Sequence, residues 1–271
     1  MRQIQRISFA VRAAVIVAAA AGLSACDVMV NTMHGGGREQ AERTWTRSYT
    51  LDASGAAVDI INVNGAIKVE AAEGSTLEVT AVITARGATP EDAKKTLDKV
   101  EMAEEASAKA VRVQAKYPRE LGRHGIEVAY TIRAPKSARL SLETVNGRVQ
   151  VNGAFAGVKA EATNGSVHGE GLGNSVVAST TNGEITLKMA SLGGDGVSLE
   201  TTNGSIDLKL PGDAKGTLSA RCVNGGIKVT DLPFEKSGEG SRRKLDGTIN
   251  GGGAAVRLET VNGSIRVGGV L

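Results

Sequence analysis

The residues with the strongest intrinsic chemistry in this chain are two cysteines and three histidines. They stand at Cys26, Cys222, His34, His124 and His168. These positions are far apart, and none shows the close Cys and His spacing that binds zinc in proteins. The sequence therefore predicts no metal site, no cofactor and, if Cys26 is modified as argued next, no intrachain disulfide.

Cys26 closes a segment that has the features of an export signal. Arg2, Arg6 and Arg12 form a basic start, and an apolar run over 13–23 follows that is too short to span a bilayer. The run ends in Leu-Ser-Ala-Cys at 23–26, which resembles a bacterial lipobox, whose cysteine is diacylated and becomes the new N-terminus. We predict a lipoprotein signal peptide over 1–25 and lipidation of Cys26. The alternative is an ordinary signal peptide with a chance cysteine.

The predicted lipid on Cys26 implies a location. Each buried CH₂ contributes about 0.8 kcal/mol, so two or three acyl chains hold a protein stably at a membrane. We therefore expect a cell-envelope protein, anchored outside the cytoplasm. Asp27 resembles the signal that retains lipoproteins in the inner membrane of enteric-type bacteria, and it favours the periplasmic face of that membrane over the outer membrane. Residues 26–43 include three consecutive glycines and are predicted to be a flexible tether.

The charge balance excludes one class of partner. The chain has 32 basic and 29 acidic residues, and removal of the three arginines in 1–25 leaves 29 of each. A nucleic-acid-binding protein carries a basic surface, so no nucleic-acid partner is predicted. The 41% of hydrophobic residues also excludes wholesale disorder.

An internal repeat marked by Asn-Gly dominates the rest of the chain. From residue 146 onwards the dipeptide recurs at steps of 18, 18, 21, 21 and 38 residues, and the last step is close to two periods. A period near 20 is typical of a solenoid. The predicted corner residues are Asn64 and Gly65, Asn146 and Gly147, Asn164 and Gly165, Asn182 and Gly183, Asn203 and Gly204, Asn224 and Gly225, and Asn262 and Gly263.

Alignment of the units on Asn reveals aliphatic columns six and four residues before it and three and five residues after it. Around Asn203 these are Val197, Leu199, Ile206 and Leu208, and the residues between them are mostly polar. Each unit is therefore strand, corner, strand, and it buries its apolar face only by stacking on a neighbour at about 4.8 Å. We predict an all-β fold: a parallel β-helix-like β-solenoid over 138–271, with 18–21 residues per rung and stacked Asn side chains.

The column two residues before Asn places Cys222. In five other units this column holds Thr144, Ala162, Thr180, Thr201 or Thr260, and by alternation it faces inward. We interpret Cys222 as a small buried thiol, and the alternative is a reactive or intermolecular cysteine.

Residues 44–137 are predicted to be a β-rich region with one short helix. Thr89-Pro90-Glu91-Asp92 is typical of a helix start, which predicts a helix over about 90–98. The unit at Asn64 shares the solenoid columns, so this region should join the same sheet system and cap its first end.

The repeat resembles a known family. Its Thr/Val-Asn-Gly-x-Ile/Val-x-Val/Leu pattern, and the stretch over 245–265 in particular, are similar to the bacterial putative-adhesin domain, a β-strand-repeat domain of unknown function. The similarity covers about 45–271. It implies a surface interaction role, with relatives associated with envelope stress systems, and it brings no catalytic residues.

Three outward features could carry a site. His168 could act as a general base, although a solvated histidine is the favoured interpretation. Glu143 and Glu161 on neighbouring rungs could hold a divalent cation or could simply be solvated. The insertion over 236–246, with Arg242-Arg243-Lys244, is either a mobile loop or a binding loop for anionic lipid or glycan.

These observations predict a non-catalytic, adhesin-like module for binding, scaffolding or envelope sensing. Its expected partners are the membrane, through Cys26, and an envelope protein or a glycan. The alternative is a glycan-acting parallel β-helix enzyme, which would need clustered acids and bases on one face. Because the sequence stops directly after the rung at 256–271, we also expect an open end there and weak self-association through it.

Overall fold

The computed structural model describes residues 28–35, 38–53, 55–122, 125–239 and 241–270. The predicted signal peptide, Cys26, Asp27 and His124 lie outside these residues. Over the described part of the chain, the fold consists of 22 strands and two short helices.

The N-terminal half contains eight strands and both helices. They are β1 (Val28–Gly35), β2 (Arg38–Thr50), β3 (Ala57–Asn64), β4 (Ile67–Ala72), β5 (Thr76–Gly87), α1 (Pro90–Leu97), β6 (Glu101–Ala106), β7 (Ala110–Lys116), α2 (Arg119–Gly122) and β8 (Ile126–Pro135).

The repeats supply the other strands in pairs, with two strands of an insertion between the last pairs. They are β9 (Arg139–Asn146), β10 (Val149–Asn152), β11 (Gly157–Asn164), β12 (Val167–Leu172), β13 (Ser175–Asn182), β14 (Ile185–Met189), β15 (Val197–Asn203), β16 (Ile206–Pro211), β17 (Gly216–Asn224), β18 (Ile227–Thr230), β19 (Phe234–Lys236), β20 (Lys244–Ile249), β21 (Ala254–Asn262) and β22 (Ile265–Val270).

The strands form two eleven-stranded sheets. Sheet A has the order β1-β2-β5-β8-β4-β10-β12-β14-β16-β22-β18, and sheet B has the order β19-β20-β17-β21-β15-β13-β11-β9-β3-β7-β6. Each Asn-Gly unit gives one strand to sheet B before the corner and one to sheet A after it. Within the repeats every neighbouring pair is parallel, and Asn lies opposite Asn, as in Asn164 opposite Asn182. The predicted β-solenoid is confirmed.

The core lies between the two sheets, and it is made of the aliphatic columns that the repeat predicts. Val197, Leu199, Ile206 and Leu208 are each at most 2% exposed. The equivalent residues of the other units are also buried, except Ile227 and Val229 in β18, which are partly buried. The ends of strands in sheet A add the buried side chains of Leu172, Met189 and Leu210, and the loops add Phe155 and Ala214.

The order of the rungs differs from the order of the sequence. β21 lies between β15 and β17, and β22 lies between β16 and β18. The rung formed by β21 and β22 is therefore inside the stack, with chain on both sides. The prediction of an open end is wrong, because both edges of these strands already have partners, and the predicted self-association loses the free edge from which it was argued.

The insertion after β18 allows the chain to return between two earlier rungs. β19 and β20 form an antiparallel hairpin, and β20 also pairs antiparallel with β17. Phe234 and Leu245 pack partly buried against the core, so the insertion covers the end of sheet B. The chain then crosses back and enters between β15 and β17.

The other end of sheet A is closed by long antiparallel strands. β2 pairs with β5 along Glu39–Thr50, and β5 pairs with β8. Ala41, Trp45 and Tyr49 of β2 are buried. The prediction of a flexible tether over 26–43 is therefore wrong for the described residues in that range, which form β1 and the start of β2 in a hairpin.

The predicted short helix is present as α1. Thr89 caps it, with its hydroxyl accepting a hydrogen bond from the Asp92 backbone N–H at 3.1 Å, and Pro90 opens the first turn. Ala93 and Leu97 are buried. Both sheets continue across the boundary at 137/138, since β3 pairs with β9 and β4 with β10.

Candidate functional site: the corner ladder and the outer faces

The predicted corner residues come together as one continuous ladder of amides. Beyond Asn64, which donates to the Ile126 carbonyl, each Asn side-chain nitrogen donates to the side-chain oxygen of the Asn on the preceding rung of the stack, over distances of 2.7–2.9 Å. The spatial order is Asn64, Asn146, Asn164, Asn182, Asn203, Asn262 and Asn224. The ladder follows the true rung order, and it ties the first repeat to the last across both halves of the chain.

The corner glycines are required by close packing between rungs. A Cβ on Gly204 would lie 1.7 Å from the carbonyl oxygen of Gly183, and one on Gly165 would lie 1.8 Å from that of Gly147. The other corner glycines meet a backbone oxygen at 1.9–2.2 Å. The corner therefore holds adjacent rungs together through close backbone packing and the amide ladder.

A buried polar column supports the ladder from inside. The hydroxyls of Thr180, Thr201 and Thr260 donate to corner glycine carbonyls of the neighbouring rung at 2.8–3.0 Å. Cys222 occupies the same column and is 5% exposed, so its position as an inward thiol is confirmed. Burial raises the pKa of the Cys222 thiol, which disfavours the reactive thiolate.

The two glutamates proposed as a cation site are indeed neighbours. Glu143 lies directly opposite Glu161 on adjacent strands, but the amine of Lys159 lies 2.9 Å from a carboxylate oxygen of Glu161. Within the described residues there is no group of three or more His, Cys, Asp and Glu side chains that could hold a metal ion.

His168 lies on the outer face of sheet A. Its Nε2 atom is 3.5 Å from a carboxylate oxygen of Glu184, and this atom is buried without a hydrogen-bond partner. The residue lies beside a cavity of about 340 Å³ that Arg148, Lys188 and Lys209 also line. His34 lies in β1, outside the part of the structure where side chains are described.

The charged insertion is a hairpin that pairs with β17, not a free loop. Asp246 lies 3.8 Å from Arg221 and 3.5 Å from Lys244, and a hydrogen bond from Ser219 lowers the pKa of its carboxyl. Arg221, Arg243 and Lys244 line a cavity of about 370 Å³ with the exposed side chains of Val223 and Val261.

The sequence interpretation missed one group of residues. Lys188, Lys209, Arg266 and Lys228 lie on four consecutive strands of sheet A and face outward. Lys188 and Lys209 stand six residues after their corner Asn, whereas Arg266 and Lys228 stand four residues after theirs, so no single column of the repeat holds all four. The recurrence of Lys six residues after Asn182 and Asn203 was the one available signal.

Comparison with known proteins finds one family and several solved structures. The profile of the family described as Toastrack DUF4097 matches residues 46–268. A search of curated proteins finds no match. In the part of the chain that the structure describes, no helix has the length and apolar character needed to cross a membrane.

Three of the similar solved structures are each at most 13% identical to this chain. A putative cell adhesion protein from Clostridium sporogenes is 13% identical, with 83% of this chain and 99% of that chain covered and a TM-score of 0.42. A putative adhesin from Bacteroides fragilis is 11% identical, with 84% and 97% covered and a TM-score of 0.37. A putative lipid binding protein from Parabacteroides distasonis is 11% identical, with 84% and 97% covered and a TM-score of 0.27.

Proposed function

The chain belongs to the Toastrack DUF4097 family, and from this premise we propose that it is a lipid-anchored, non-catalytic binding module of the bacterial cell envelope. Its partners in this role are the membrane, through acylated Cys26, and an envelope protein or glycan on an outer face of the solenoid.

The unbroken stack of rungs is the observation that carries the proposal. Parallel strands hold outward side chains of successive rungs at a spacing of about 4.8 Å along a rigid body. The Asn ladder and the corner glycines fix this register from Asn64 to Asn224. Such a body supports long, regular faces of surface side chains, which suits the recognition of an extended partner.

The anchor is supported by the sequence before the first strand. Leu-Ser-Ala-Cys at 23–26 has the lipobox pattern, and β1 begins at Val28, directly after Asp27. A lipid on Cys26 would therefore hold the β1 edge of sheet A close to the membrane surface.

The proposal is tested by membrane fractionation of the full chain with a matched pair of cysteine variants. Cys26→Ser should prevent acylation and release the protein from membranes. Cys222→Ser removes the other thiol and should leave the protein in the membrane fraction. Unchanged membrane association and absence of lipid labelling in the unmodified chain would together contradict the anchor.

One geometric observation favours the second candidate, a glycan-acting enzyme. His168 and Glu184 approach to 3.5 Å beside the 340 Å³ cavity, which is the arrangement of an acid–base pair. If this pair is catalytic, the unmodified protein should shorten an acidic polysaccharide and His168→Ala should not. Polysaccharide of unchanged length after incubation with the unmodified protein would reject this candidate.

A further inference from the structure

Four cationic side chains meet at one end of the outer face of sheet A. Lys188 is on β14, Lys209 on β16, Arg266 on β22 and Lys228 on β18, and all four are exposed. These strands are consecutive in the sheet. We call this group the basic face. β22 lies between β16 and β18, so Arg266 lies beside Lys228 on one side and its strand lies beside that of Lys209 on the other.

The basic face contains two pairs of like charges in direct register. Lys188 lies opposite Lys209, and Arg266 lies opposite Lys228. Like charges directly opposite each other on a sheet are destabilising. Among the described residues, none of these four side chains has a carboxylate within 4.0 Å, whereas Lys68, Lys159 and Arg257 on the outer faces do.

Gly268 leaves room for one of these lysines. The Lys209 side chain lies across this glycine, with its Nζ atom 2.7 Å from where a Cβ would stand. Any larger residue at 268 would displace the lysine. The nearest acids in register are Glu170 opposite Lys188 and Asp207 opposite Arg266, so the face keeps a net positive charge.

The surroundings of the basic face are polar. Gln150, Asn152, His168 and Thr186 line the adjoining 340 Å³ cavity with Lys188 and Lys209. The exposed large apolar side chains of the described residues are Val145, Val177, Val223 and Val261, and all four belong to sheet B. Protein partners usually need aromatic or aliphatic anchors, whereas amides and hydroxyls beside cations suit sugar hydroxyls and acid groups.

The position of the face separates it from the predicted anchor. Its strands lie seven to ten places from β1 in sheet A. At about 4.8 Å per strand this is roughly 34–48 Å. Anionic headgroups of the anchoring membrane would thus meet the opposite end of the sheet.

We propose that the basic face binds the acid groups, carboxylate or phosphate, of an envelope glycan chain. This inference rests on the proposed binding function and names the ligand class and the face. Cations in register at rung spacing attract a linear chain that carries repeated negative groups.

The test uses the full chain in detergent micelles and measures binding by calorimetry. The carboxylate probe is an oligogalacturonate, its neutral control is the methyl ester of the same oligomer, and the phosphate probe is a glycerol-phosphate oligomer. The variant is Lys188→Gln with Lys209→Gln. The matched control is Lys109→Gln with Lys116→Gln, which removes the same charge from exposed positions at the other end of sheet B.

The expected result is binding of at least one acidic probe, and the tighter probe identifies the acid group. The Lys188/Lys209 variant should lose about tenfold or more in affinity, and the control variant should stay within about twofold. Each of the following results would overturn the inference: no binding of either acidic probe, equal losses in both variants, or equal binding of single-stranded DNA. Equal binding of the neutral ester would also overturn it while leaving glycan binding intact. Membrane fractionation of Cys26→Ser is independent of all these outcomes.

Discussion

The distance between rungs requires a glycine at every corner, and at Gly65, with a φ of 120°, the backbone conformation favours glycine as well. None of the seven corner asparagines has a positive φ. The sequence pattern Asn-Gly is also a hairpin signal, for which positive φ at both residues would be expected. The fixed columns beside the dipeptide, and not the dipeptide itself, are what distinguish the solenoid from a series of hairpins.

Close packing of the rungs at the corner predicts different outcomes for two glycine substitutions. Gly204→Ala would place a methyl group 1.7 Å from the Gly183 carbonyl oxygen, so the rungs must separate locally. We expect it to lower the free energy of unfolding by about 3 kcal/mol or more. Gly212→Ala, which meets nothing within 4 Å, should change it by no more than about 0.5 kcal/mol. Urea denaturation of both variants measures this, and equal stability would show that the rungs are not so closely packed at the corner.

At the scale of the strand, the alternation of side chains was fully predictable from the columns. A shift of one residue in register would exchange the buried and outer faces of every strand, so the pattern has only one consistent interpretation. Burial could not be predicted in segments that lack the aliphatic columns of the repeat. Residues 38–43 lack the Asn-Gly frame and follow three glycines, yet Ala41 is fully buried because β2 pairs with β5.

The neighbouring residues Leu199 and Glu200 test the alternation within β15. Leu199 is 1% exposed, and Leu199→Ala should cost about 2–5 kcal/mol of unfolding free energy because it leaves a cavity between the sheets. Glu200 points outward, and Glu200→Ala should change stability by about 0.5 kcal/mol at most. Thermal denaturation compares the two variants. If Glu200→Ala lowered the unfolding free energy as much as Leu199→Ala, the assignment of Leu199 to the buried face and of Glu200 to the outer face would be wrong.

At the scale of the whole molecule, the rung order could not be predicted from the repeat. The units at Asn203, Asn224 and Asn262 carry the same columns, so their side chains would satisfy any stacking order. What selects the order is the insertion, whose strand β20 occupies the outer edge of β17 and leaves the inner edge for β21. The basic face was missed for a different reason, because its four side chains come from two columns of the repeat, four and six residues after the corner Asn.

The insertion of the final rung between two earlier rungs is tested most directly by a pair of double-cysteine variants. Ser198 and Arg257 face outward in direct register on adjacent strands, while β21 separates Ser198 from Ser219 on β17. A disulfide needs Cα atoms about 4.4–6.8 Å apart, and strands two places apart are separated by about 9.6 Å.

The measurement is peptide mapping of the oxidised proteins in a Cys222→Ser background. The structure predicts a disulfide in Ser198→Cys with Arg257→Cys and none in Ser198→Cys with Ser219→Cys. The reverse result, a disulfide between positions 198 and 219 and none between 198 and 257, would mean that the rungs stack in sequence order and would contradict the insertion of the final rung.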